Sequence, residues 1–148
     1  MAIVRSAGTE ILRCHSFAEV DSTLQVLIMG EQHHIYTVLS IICHAESMQA
    51  PGNFIHCYLN GYDSKAGATD EAFTIFKQDM STQETFVFND KFSFNGFEPT
   101  DFAGPMDNAT KQNAIADQGG VAQDLRIYTD NAADDVDVMI TFIDQNNA

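Results

Sequence analysis

The sequence has 148 residues, with 21 acidic against 7 basic side chains and a net charge of −14. So few basic residues build no patch that could neutralise a phosphate backbone, which excludes nucleic-acid binding as a function class. The length suits one domain, and 19% charged residues with eleven Phe, four Tyr and no Trp favour stacked sheets over long helices.

Residues 1–9 (MAIVRSAGT) lack the long apolar core of an export signal, so synthesis in a cytoplasm is expected. Gly8 separates this piece from the first long strand-like run, and it reads as a short strand or as an arm that docks on a neighbouring subunit. Glu10–Ser16 and Leu24–Met29 read as strands joined by a polar turn around Asp21 and Ser22. His34–His44 (HIYTVLSIICH) is the best central strand, rich in β-branched residues and free of Gly and Pro. Its apolar side chains fall on both faces, which predicts a position deep in a sheet with little water on either side. Thr37 and Ser40 interrupt its densest part, and the run is too short to cross a bilayer, so no membrane association is expected.

Ala50-Pro51-Gly52-Asn53 is strong turn chemistry. Phe54–Asn60 comes next as a strand, Gly61–Thr69 as a loop, and Ala72–Lys77 and Thr85–Phe88 as two further strands. Asn89-Asp90 reads as a tight turn before Lys91–Phe94. Residues 95–120 differ in kind, with Pro99, Pro105 and few apolar anchors; Thr110–Gln118 reads as a short helix ended by Gly119-Gly120. So long a connection is usually functional or ordered by a partner. In Asp124–Asp144 two period-two runs, Leu125–Tyr128 and Val136–Phe142, flank a polar Asp- and Asn-rich stretch, which predicts an antiparallel hairpin. The expected fold is all-β: one antiparallel, jelly-roll-like sandwich of about eight strands over residues 10–148, with residues 95–120 as an insertion.

Three Cys-His neighbours, Cys14-His15, Cys43-His44 and His56-Cys57, invite a zinc reading. Adjacent strand residues point to opposite faces, however, so each pair offers one inward ligand, and a core thiol beside a surface imidazole accounts for all three. The same geometry defeats Cys-His catalysis. His33-His34 reads as a solvated strand entrance. Asp130, Asp134, Asp135 and Asp137 are densely acidic but lack calcium-loop spacing, and hairpin turns favour Asp. The sequence contains no P-loop, GxGxxG, GxSxG or HExxH, so neither cofactor, metal nor enzymatic activity is expected.

Three segments together, Ser40-Ile41-Ile42, Glu84–Phe92 (ETFVFNDKF) and Asp124–Asp144 (DLRIYTDNAADDVDVMITFID), resemble small all-β virion proteins of tailed bacteriophages, those of marine and cyanobacterial hosts in particular. The resemblance implies a structural role: a capsid decoration (cement) protein on the outer shell, or a component of the neck, tail or fibre. Its partners would be the major capsid protein or other virion proteins, and homo-oligomers such as trimers are implied. A strongly acidic subunit is repelled by packaged DNA, which puts it on the outside of the particle. Ile3 and Val4 in the arm, with Phe97, Phe102, Met106 and Ile115 in the insertion, are the expected contact points, being apolar side chains in otherwise polar, irregular segments. The alternative is a carbohydrate-binding module on a tail or fibre, with Tyr58, Tyr62 and Tyr128 as the stacking surface.

Overall fold

A computed structural model describes residues 8–50, 53–63, 65–99, 109–110 and 120–147. Eleven strands lie among these residues: β1 (Thr9–Val20), β2 (Gln25–Ile28), β3 (His34–Ser47), β4 (Phe54–Asp63), β5 (Ala68–Asp79), β6 (Thr85–Phe88), β7 (Phe92–Asn95), β8 (Phe97–Pro99), β9 (Gly120–Ala122), β10 (Asp124–Thr129) and β11 (Asp135–Asn146). The first sheet runs β1-β11-β3-β6, with β7 also paired to β3; the second runs β2-β10-β4-β5; β8 and β9 form a small pair of their own. All pairings are antiparallel. The all-β fold expected from the alternation is what the chain adopts.

The core lies between the two sheets. From β11, Val136, Val138, Ile140 and Phe142 turn inward and are fully buried or nearly so; Leu125 and Ile127 of β10 and Ile55 and Cys57 of β4 come from the second sheet. Burying each large aliphatic or aromatic side chain contributes about 1.5–3 kcal/mol, and this shared layer supplies most of the favourable free energy.

Four readings change. Leu125–Tyr128 and Val136–Phe142 do not form a hairpin: β10 belongs to the second sheet and β11 to the first, so residues 130–134 cross between them. Each run carries a full apolar set, and the crossing places the two sets on opposite walls of the core. The crossing is tied by the buried Asp134 carboxylate, which accepts the N–H groups of Gln49 (2.8 Å) and Asn131 (3.1 Å) and the Asn53 amide (3.0 Å).

β3 shows apolar residues at both parities for a different reason than double burial. Val38 pairs with Phe142 and Ser40 with Thr141, so Leu39 is an extra residue, a bulge that inverts the alternation. Tyr36 and Val38 before it, and Ile41, Cys43 and Ala45 after it, all point into the core, while Ile35 and Ile42 are exposed on the other face. Asn89-Asp90 does not reverse the chain: β6 pairs with Ile41–His44 and β7 with Ile35–Val38, so the two form one interrupted edge strand along β3. The expected 61–69 loop is shorter, because β4 continues to Asp63 and β5 starts at Ala68; Gly67, at φ 70°, donates its N–H to the Asp63 carbonyl (2.8 Å). The predicted helix at 110–118 lies almost wholly outside the described residues. At the base of that insertion Phe97 pairs with Ala122.

Candidate functional site

The Cys-His pairs separate as strand geometry requires, but not all in the expected sense. Cys43 and Cys57 are buried, with His44 and His56 on the outside, as expected. Cys14 is exposed, and His15 is the member that turns inward; its ring sits edge-on to Phe142 at 5.0 Å and its Nδ1 lies 3.1 Å from the Leu27 carbonyl. The strand register decides this, since His15 pairs with inward Ile140 and Cys14 with outward Thr141. Burial pushes the Cys43 thiol up to about 12, and burial together with neighbouring Cys43 pushes Cys57 higher still. Among the described residues no three His, Cys, Asp or Glu side chains are placed to hold a metal ion, and no helix is long and apolar enough to cross a membrane.

His34 is not a solvated entrance. Its Nδ1–H donates to the buried Asp144 carboxylate at 2.6 Å, its Nε2 lies 3.3 Å from Glu31, and Arg13 reaches Asp144 at 3.3 Å. Tyr36 beside them is pushed up to about 12, by burial and then by the charges of Asp144 and Glu31. Of the acidic stretch, Asp134 is structural as described, and Asp130 accepts the Phe54 N–H (2.8 Å) and His56 Nε2–H (2.7 Å). Burial works against the Asp130 charge, but these two bonds and the charges of His56 and Lys77 outweigh it and hold the carboxyl below its ordinary range.

Of the expected contact residues, Ile3, Val4, Phe102, Met106 and Ile115 lie outside the described residues; Phe97 is half-buried on β8. The structure draws attention instead to the two outer sheet faces. On the first sheet, Ser16, Met139, Ile42 and Val87 stand directly opposite one another across β1, β11, β3 and β6. Opposed residues in antiparallel strands share a face with Cβ atoms about 4.5–5.5 Å apart, so Met139, Ile42 and Val87 form a continuous apolar row. They are 43%, 37% and 49% exposed, and Leu12, on the same face, is 67% exposed. A shallow groove of about 450 Å³ runs beside this row between Phe17, Ala18 and His44. At the row's flank Glu46 is raised above the usual carboxylate range by a shared hydrogen bond with Asp137 and then by its charge. Reading the sequence for strands alone missed this row; the signal was an apolar residue at an outward position of the alternation, as at Met139.

The outer face of the second sheet is aromatic and polar. His56 of β4 and Tyr128 of β10 are opposed and stack in parallel, 4.6 Å apart at 5°, and Tyr58 meets Tyr128 edge-on at 6.0 Å and 80°. Arg126 donates to Asp124 (3.1 Å) and is bonded to Tyr58; burial opposes its charge, but these partners hold its pKa above the ordinary value. The Lys77 ammonium lies over the Phe54 ring at 4.4 Å. Between Tyr58, Tyr128 and Thr74, with Ser22 and Leu24 on the far rim, is an open groove of about 470 Å³.

No protein-family model matches the chain, and no curated protein matches it. Among solved structures, a chain from work on Bacillus endospore appendages, described as disulfide-linked pili, is 11% identical with a TM-score of 0.43, over 100% of this chain and 96% of that one. A chain of the infectious bursal disease virus VP2 subviral particle is 7% identical with a TM-score of 0.42, over 97% of this chain and 34% of that one. A chain of the cowpea mosaic virus top component is 11% identical with a TM-score of 0.38, over 95% and 87%. The present chain therefore spans about a third of the length of the infectious bursal disease virus chain. Overlaps of this size carry no functional assignment.

Proposed function

We propose that this chain is a structural subunit of a viral particle, a decoration protein that seats on shell subunits through the outer face of its first sheet. The observation that carries the reading is the exposed row Met139–Ile42–Val87, set in register across three strands. Contiguous apolar surface of this kind is disfavoured in water and is gained back when a partner covers it. The resemblance of residues 40–42, 84–92 and 124–144 to phage virion proteins supports the nature of that partner, the major capsid protein or another virion protein. Edge strand β1 offers a place for strand addition beside the row, and the net charge of −14 suits a position away from packaged DNA. Ile3 and Val4 of the arm and Phe97, Phe102, Met106 and Ile115 of the insertion are proposed as additional anchors, within a homo-oligomeric arrangement such as a trimer.

The test is occupancy on particles seen by cryo-EM after adding the purified chain. The double variant Ile42→Glu, Met139→Glu places charge on the row and is expected to empty the site while its melting temperature stays within a few degrees of the parent. Full occupancy by that variant would sink the face as the docking surface. Deleting residues 1–8 is expected to abolish particle binding with little change in melting temperature; unaltered occupancy would remove the arm from the account.

A further inference from the structure

The outer face of the second sheet takes no part in that docking, and its chemistry is of another kind. Two tyrosine rings meet there nearly at right angles, 80° apart with centroids 6.0 Å from one another. Tyr128 is backed by the parallel His56 ring, and His56 is itself fixed by the 2.7 Å bond to Asp130. A surface whose side chains are already locked loses little conformational freedom when a ligand arrives. The ionisable groups around the groove are each engaged: Arg126 with Asp124, Asp130 with His56, Asp70 with the Asn60 amide and Lys77 over the Phe54 ring. No carboxylate, lysine or arginine lines the groove, so its walls offer an ionic ligand no counter-charge of that kind. Ser22, Thr74 and Asn60 line the groove with hydroxyl and amide groups, and its volume of about 470 Å³ lies in the range of small-molecule sites.

A ligand matching these features is uncharged, carries an apolar face to lie on aromatic rings, and has polar edges for hydroxyl and amide partners. A pyranose ring has that form. We propose that the groove between Tyr58, Tyr128 and Thr74 is a binding site for a neutral saccharide, with the tyrosines as the stacking surface and Asn60, Ser22 and Thr74 as its polar contacts.

The experiment is a glycan microarray probed with the full chain, then saturation-transfer NMR with maltohexaose, chitohexaose and mannohexaose, and with alginate as the anionic control. Binding to at least one neutral oligosaccharide is expected, with alginate silent. Long polysaccharides of the same sugar, printed beside the hexasaccharides, separate a surface polymer from a free oligosaccharide as the source. Tyr128→Ala is expected to weaken binding by about tenfold or more. Thr74 is exposed on edge strand β5, so Thr74→Arg obstructs the groove without touching the core and is expected to do the same at an unchanged unfolding midpoint. No neutral binding on array or in NMR, stronger binding of alginate, or binding indifferent to Thr74→Arg would each overturn the proposal. None of these outcomes touches the particle-docking face, which lies on the opposite sheet.

Discussion

Two of the three thiols are closed to reagents carried by water. Cys43 and Cys57 are fully buried and held as neutral thiols, whereas Cys14 is exposed. Titration with Ellman's reagent should therefore count one thiol in the folded protein and three in urea. Because the folded values of Cys43 and Cys57 are raised, the unfolded chain releases those protons first, so stability should decline as pH rises above about 8.5. Asp130 carries the opposite sign. Its folded value is depressed, so its contribution is complete above about pH 3.9 and is lost as pH falls through the folded value. Urea midpoints measured from pH 7 to pH 3 should show Asp130→Asn losing its disadvantage toward the acid end; the carboxyl is partly exposed, so the effect is modest. Asp134 matters more, since three donors converge on it where it is buried. Asp134→Ala should cost about 2–4 kcal/mol in chemical denaturation, for it strands those donors. The sequence marked both aspartates as turn residues but did not separate them, because which one is buried depends on Gln49 and Asn53, some eighty residues away.

At the scale of strands, alternation revealed where the chain is extended but not what each strand pairs with. The runs in β10 and β11 are legible from Leu125, Ile127, Val136, Val138, Ile140 and Phe142 alone. Their assignment to opposite sheets is not, because a polar stretch suits a crossing as well as it suits a hairpin. Leu39 gives the other instance: one inserted residue changes the parity of β3, and a reading by parity takes the result for burial on both sides. Deleting Leu39 should put either Tyr36 and Val38 or Ile41, Cys43 and Ala45 on the wrong face. Loss of a cooperative unfolding transition is expected; a deletion variant that melts like the parent would show that the bulge carries no such weight. Phe142→Ala, which empties the space between His15, Tyr36 and Arg13, should cost about 3–5 kcal/mol. The candidate sites were harder to read than the fold: Tyr58 and Tyr128 are visible as tyrosines in strands, but their meeting requires the register of β4 against β10.

For the molecule as a whole, mutual repulsion at −14 opposes association of copies through the apolar row. With a pI near 4.3, acidification removes that repulsion, and salt shortens its reach to about 8 Å at physiological ionic strength. Light scattering should record association growing as pH falls from 7 toward 4.3, and again with added salt at pH 7; Met139→Glu should diminish both. Scattering that stays flat throughout would argue that the row is not adhesive. A sandwich also imposes a direction. Its sheets lie back to back, so whatever adheres to one outer surface leaves the other aimed away from it. A shell covered by such subunits would display one groove per copy, in a fixed array, turned toward the surroundings. Contacts individually feeble become strong in aggregate when many are engaged at once, and the stacking of two sheets is then what converts a fastening into a multivalent grip.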